Sequence, residues 1–331
     1  MTSVDYLFYH LWSEKNISTI LNDIETKTPR NIVIFGPEEW EVGNLFKNNE
    51  FLIELESKLK SNDIKLYLIF GSGDKEFYKS YFAIPKVNTT VILWPMFWVY
   101  FTHYSLNNYN PNIIESYKCN NIDKLFISLN NKSLEHRCQF MDELVNNNLL
   151  DNGYVSWMEP NVNYDWKFWT PKKLILDDEY PNNLNSYSTI PNEYGRTLLN
   201  VVTESTMNVP FITEKTFTCV FLNKPFIILG AHGIHKLLVE YGFELYDELF
   251  DYSFDMLIET EDRIKGIIDN LKNLKDKSYD ELSIKVRDKI KRNKMNAFEI
   301  IKNKKYIPEY VSLIGEQFKD DLNEYIFTKF I

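Results

Sequence analysis

Cysteine is scarce. Cys119, Cys138 and Cys219 are the only three in 331 residues, far apart and without a Cys-x-x-Cys spacing. Dispersed thiols in odd number support neither a disulfide framework nor a structural zinc site, and reduced cytosolic thiols are expected. Long hydrophobic runs are also lacking. The most apolar stretch, Val91 to Phe101, is shorter than the roughly 20 residues a bilayer span needs, and Pro95 interrupts it. The start, Met1-Thr2-Ser3-Val4-Asp5, has no basic region followed by an apolar run, so no secretory leader is expected. These absences predict a soluble protein without membrane insertion, placed in the cytoplasm (the host cytoplasm if the chain is viral). Positive charge is in deficit as well, since 37 Lys and Arg face 47 Asp and Glu for a net charge of −10. Broad non-specific binding to nucleic acid needs a basic face, and this balance argues against it. No internal repeat marks a solenoid.

Hydrophobic content of 44% and charged content of 25% are ordinary for a globular chain with a buried core. Aromatic content is high at 15%, which serves a core and also leaves stacking on sugars or bases open. Asparagine doublets recur, as at Asn48-Asn49 and Asn120-Asn121; an AT-rich, viral genome would account for them without a structural reason.

Short apolar runs alternate with helical patterns along most of the chain, which predicts βαβ units and mostly parallel sheets. Strands are expected at 31–35, 64–70, 89–94, 124–128, 154–157, 199–203 and 225–229. Helices are expected at 51–59, 134–147, 213–222, 234–241, through much of 254–303, and at 309–327. Residues 158–190 are rich in Pro, Asn and Asp and read as a long irregular excursion. The length suits two domains: 1–115, a first Rossmann-like half; 116–305, a second; and 306–331, a helix crossing back to the first. The fold class is α/β, with two Rossmann-like domains and a helical tail.

The most informative segment is Asn200-Val-Val-Thr-Glu-Ser205 followed by Phe211-Ile-Thr-Glu-Lys-Thr-Phe217. Thr213 is a good N-cap, and Glu214 suits the positive end of a helix dipole. Lys215 opposes that dipole at a cost of roughly several tenths of a kcal/mol unless an anion sits alongside. A phosphate would remove the conflict; an ordinary capped helix with a solvated lysine also fits. Gly230-Ala-His-Gly233, after a strand, is a turn that lets a ligand approach the backbone. Arg137 follows the strand ending at Ser128 and is either a phosphate contact or a surface arginine paired with Glu135 or Asp142.

Together these segments resemble a family of phage and giant-virus glycosyltransferases, itself distantly similar to alpha-1,3-fucosyltransferases and exostosin-like enzymes. The residues that carry the resemblance are Leu125-Phe-Ile-Ser-Leu-Asn130 with His136-Arg137, Asp142-Glu-Leu, Leu149 to Trp157, and Val202-Thr-Glu-Ser205. Phe211-Ile-Thr-Glu-Lys-Thr-Phe217, Lys224-Pro-Phe-Ile-Ile-Leu-Gly230 and Leu237 to Phe243 complete it. It covers roughly residues 122 to 250.

The resemblance implies a GT-B type arrangement whose second half holds a nucleotide-diphosphate sugar, and an inverting transfer to an acceptor hydroxyl. It implies ribose contacts from Glu214 and diphosphate contacts from Lys215 and Arg137. Asn130, Glu204, Ser205, Thr213, Thr216, Gly230, His232 and Gly233 complete the expected donor site, with no role transferred to His232. No Asp-x-Asp occurs in the chain, so a metal-independent reaction requiring no cofactor is expected. Asp177-Asp178-Glu179 reads as a solvated loop, Asp247, Asp251 and Asp255 as a solvated helical face, and His232 with His235 as too few ligands for zinc. A catalytic base is expected from the first half, where Glu38, Glu39, Asp74 and His103 are candidates. Trp94, Trp98, Tyr100 and Tyr104 serve either a core or an acceptor cleft. Gly71-Ser72-Gly73 lacks the third glycine of a dinucleotide fingerprint. The partners expected are the nucleotide sugar and a glycan or other hydroxyl acceptor. Two alternatives stay open: a transferase acting on hydroxymethylated bases of phage DNA, and a non-catalytic binder of sugar nucleotides or glycans.

Overall fold

The computed structural model describes residues 6–10, 17–36, 49–70, 84–93, 122–161, 163–176 and 191–302. They fall into two compact units, one built on the first four strands and the other on residues 122–302. Both are α/β with parallel sheets.

In the first unit, β1 (Tyr6–His10), β2 (Asn31–Gly36), β3 (Lys65–Phe70) and β4 (Thr89–Leu93) form a four-stranded parallel sheet in the order β1-β2-β3-β4. Leu66 to Phe70 of β3 are all buried, as expected for a strand covered on both faces. Helix α1 (Ile17–Lys27) connects β1 to β2, and α2 (Asn49–Ser61) connects β2 to β3. Phe51, Leu55 and Leu59 of α2 turn one stripe inward. Lys58 of α2 bonds Glu25 of α1, and Tyr9 donates its hydroxyl hydrogen to Asp23 at 2.8 Å. Strand β1 and helix α1 were not expected from the sequence. β1 is five residues long, too short for a period to stand out, whereas α1 does carry Ile17, Ile20, Leu21 and Ile24 at helical spacing.

The second unit is a four-stranded parallel sheet of β5 (Lys124–Asn130), β6 (Gly153–Trp157), β7 (Thr197–Thr203) and β8 (Phe226–Leu229), in the order β6-β5-β7-β8. β7 is buried at every position. The helices are α3 (Glu135–Asn146), α4 (Glu214–Phe221), α5 (Ile234–Glu240), α6 (Thr260–Leu274) and α7 (Tyr279–Lys302). From β5 the chain builds β6 on one side and then crosses to place β7 on the other. The order reverses there, and such a switch point opens a crevice at the carboxyl ends of the two strands.

Residues 158–161 and 163–176 are irregular, as expected, apart from a bridge between Leu174 and Trp157. Residues 247–255, by contrast, form turns and a short 3-10 stretch at Ser253–Met256, and Asp255 is buried. The solvated helical face expected for Asp247, Asp251 and Asp255 is therefore corrected: the spacing was helical but Asp255 turns into the core to bond His235. No helix among the described residues is long and apolar enough to cross a membrane. All but the last residue of the polar stretch 107–122 where the boundary is expected, the helix at 309–327, Trp94, Trp98, Tyr100, Tyr104, Gly71-Ser72-Gly73 and Asp177-Asp178-Glu179 lie outside the described residues.

Candidate functional site

The carboxyl ends of β5 and β7 are surrounded by polar residues removed from water. Asn130, the last residue of β5, is 3% exposed. Its side-chain oxygen accepts the Thr203 hydroxyl at 2.8 Å, its side-chain nitrogen donates to the Ser128 hydroxyl at 3.2 Å, and its backbone N–H donates to the Ser156 hydroxyl at 3.1 Å. One asparagine thus ties together the carboxyl ends of β5, β6 and β7.

Arg137 sits in the first turn of α3 and is 3% exposed, which excludes the surface-arginine alternative. Its guanidinium donates to the carbonyl oxygens of Thr203 at 2.9 Å, Glu204 at 3.1 Å and Lys132 at 3.2 Å. Next to it, His136 Nε2–H donates to the Glu204 carbonyl at 2.9 Å. Burial, with added repulsion from Arg137 and Arg263 against the Glu204 bond, lowers the His136 pKa to about 4, so its ring is neutral. Asp142, the other expected partner of Arg137, instead accepts the backbone N–H groups of Lys167, Phe168 and Trp169 at 2.8–3.0 Å.

Glu204 follows β7 and is fully buried. Its Oε1 accepts the Thr213 N–H at 3.0 Å and the Thr216 hydroxyl at 2.9 Å, and its Oε2 accepts the Thr213 hydroxyl at 2.6 Å. Thr213 is the N-cap of α4, as expected, and its oxygen accepts the Lys215 N–H at 3.3 Å. The Lys215 ammonium lies 3.3 Å from that same oxygen, on a half-buried side chain. The anion that a first-turn lysine calls for is thus present within the chain. A carboxylate at a helix N-terminus complements the dipole and lessens the conflict set by Lys215.

The neighbouring turn is organised the same way. Gly233, the N-cap of α5, adopts φ 76, a conformation that favours glycine. The amides of His235 and Lys236 are held by the Asp255 carboxylate at 3.1–3.2 Å, and the His235 ring donates Nδ1–H to it at 2.8 Å. That tautomer follows from Nε2, which accepts the Ile228 N–H at 3.1 Å. Burial pushes the Asp255 carboxyl up, but the bonds from His235 and Lys236 prevail and hold it below its usual range. Gly230 is small for a packing reason: a Cβ there would meet the Ile234 side chain at 2.6 Å. Its carbonyl accepts Arg263 Nε–H at 3.2 Å.

The structure therefore brings Asn130, Arg137, Glu204, Thr213, Lys215 and Thr216 into one cluster. Glu214 opens α4. Ser205 and His232 are exposed, and Gly230, His232 and Gly233 belong to the adjoining β8 turn with Asp255 and Arg263. His136 and Thr203 carried the resemblance without a role of their own, Asp255 was read as part of a solvated face, and Arg263 was not singled out from the sequence. Glu38, Glu39, Asp74 and His103 lie outside the described residues. No group of three or more potential metal ligands occurs among the described residues. No protein-family model, curated protein or solved structure matches the chain.

Proposed function

We propose that the chain is a glycosyltransferase that moves a sugar from a nucleotide-diphosphate sugar to an acceptor hydroxyl. The observation that carries this reading is the placing of two cations near the switch point of a parallel sheet: Arg137 on the Glu204 backbone carbonyl, and Lys215 on the Thr213 hydroxyl that donates to the Glu204 carboxylate. Arg137 is buried and holds its charge against the backbone of the β7 end, while Lys215 is half-buried and nearer water. A diphosphate leaving group develops negative charge as its bond to the sugar breaks, and fixed cations stabilise such charge well in a site with little water. Helix α3 follows β5 without a side-chain cap on its N-terminus, adding a positive dipole end.

In this reaction the acceptor oxygen attacks the anomeric carbon as the carbon–oxygen bond to the diphosphate breaks. A base takes the acceptor proton, with Glu38, Asp74 and His103 the candidates. Inversion, the GT-B arrangement of two Rossmann-like halves and the absence of a metal requirement belong to the same proposal. They rest on the motif resemblance and the missing Asp-x-Asp.

The test is a thermal-shift screen of nucleoside diphosphates and nucleotide sugars with wild type and Lys215→Ala. A ligand at a hundredfold excess over its Kd adds about 2.7 kcal/mol to native stability. A shift with one nucleotide that disappears in Lys215→Ala supports the reading. Absence of a shift with every nucleotide sinks it.

A further inference from the structure

We propose that Glu204 is a positioning residue that acts through the Thr213 hydroxyl to hold the Lys215 ammonium in place for a nucleotide diphosphate. The inference rests on the nucleotide reading above and changes the part Glu204 plays in it from donor contact to internal support. Direct contact with a ligand is disfavoured because Glu204 is fully buried and both its carboxylate oxygens already accept hydrogen bonds from Thr213 and Thr216.

The polarity of the network follows from donor and acceptor arithmetic. The Thr213 oxygen accepts Lys215 N–H and lies at hydrogen-bond distance from Lys215 Nζ, which can only donate. Its single hydrogen therefore points to Glu204 Oε2, at 2.6 Å. Oε1 faces the Thr213 N–H, an obligatory donor, together with the Thr216 hydroxyl. Glu204 is thus required as an acceptor at both oxygens, which suits a carboxylate and not an amide. A glutamine would set its NH2 against the Thr213 hydroxyl, turn that hydrogen away, and take a lone pair that Lys215 uses. The carboxylate also keeps the N-cap amide of Thr213 occupied.

The test compares wild type with Thr213→Val, Thr213→Ser, Glu204→Gln, Lys215→Ala and the Glu204→Gln/Lys215→Ala double variant. Calorimetric titration uses GDP, UDP and ADP beside their parent nucleosides. Thr213→Val and Glu204→Gln are expected to lose about tenfold in diphosphate affinity, the worth of one hydrogen bond to a charged group. Thr213→Ser should bind as wild type, and nucleoside affinity should not move. Glu204→Gln should add no further loss in the Lys215→Ala background. Equal losses for nucleoside and diphosphate, or a full additional loss in that background, would show a merely structural carboxylate and overturn the proposal. Should Glu204→Gln fail to fold, the Val and Ser pair at Thr213 carries the same comparison. A ligand-free arm measures acetylation of Lys215 by an amine-reactive ester, read by mass spectrometry. Faster labelling in Thr213→Val than in Thr213→Ser is expected, and equal rates would overturn the tether. If wild type binds none of the diphosphates, the nucleotide reading fails and so does the aim assigned to Lys215, while the labelling rates still decide the tether alone.

Discussion

His136 makes pH a probe of the site's inner wall. Its pKa of about 4 in the folded chain lies below the ordinary 6.5, because burial penalises the charged ring. The unfolded chain therefore binds the extra proton first as pH falls. The contribution of the neutral ring is complete above about pH 6.5 and is lost progressively toward pH 4, with about 3 kcal/mol at stake. Denaturant unfolding from pH 7 to 4 should show this slope, and His136→Gln, which keeps a donor for the Glu204 carbonyl, should flatten it. An unchanged slope in that variant would refute the assignment. Asp142 offers a second check. Replacement by Ala strands the amides of Lys167, Phe168 and Trp169, and a loss of about 2–4 kcal/mol is expected, with faster hydrogen exchange at those amides. Arg137 and Lys215 were legible as residues because a cation near a helix start is a local feature. Their partners were not, since Arg137 bonds carbonyls 66 and 67 positions away, and Glu204 reaches Thr213 and Thr216 across a loop.

Among the elements, α4 is held at both ends by charges of the right sign. Glu204 stands at its amino end, and the Lys294 ammonium of α7 bonds the Phe221 carbonyl at its carboxyl end, at 2.9 Å. Both match the helix dipole, and Lys294→Ala should cost about 1 kcal/mol in a urea unfolding series. Gly233→Ala forces a side chain into φ 76 with open space around it, so conformational strain alone sets its cost at about 1 kcal/mol or more. A loss well above 3 kcal/mol would mean that the turn does more than cap α5. The strands and helices of the second unit were read nearly to their ends because their periods are strong and their stops, such as Thr213 and Gly230, are chemical. What local pattern does not carry is the crossing from β6 to β7, which creates the switch point. The Asp255 reversal fails for the same reason: four-residue spacing looks helical whether or not a helix forms.

For the molecule as a whole, the net charge of −10 sets an expectation about the acceptor of the proposed transfer. Phosphate contacts dominate affinity for duplex DNA, and an acidic chain should pass a duplex-DNA column unretained near physiological salt. Firm retention that weakens as salt rises would point to DNA as acceptor in place of a glycan. The second unit also carries a tight group of indoles. Trp157, at the end of β6, meets Trp166 and Trp169 edge to face, and those two meet each other, with ring centroids 4.9–5.9 Å apart; Asp142 fastens the loop that carries the latter pair. Rings that close share their electronic excitation, so light absorbed by one indole is redistributed among all three and leaves a circular-dichroism signature that separated tryptophans lack. This half of the chain contains its own optical gauge, and the gauge goes dark when the loop comes away from α3.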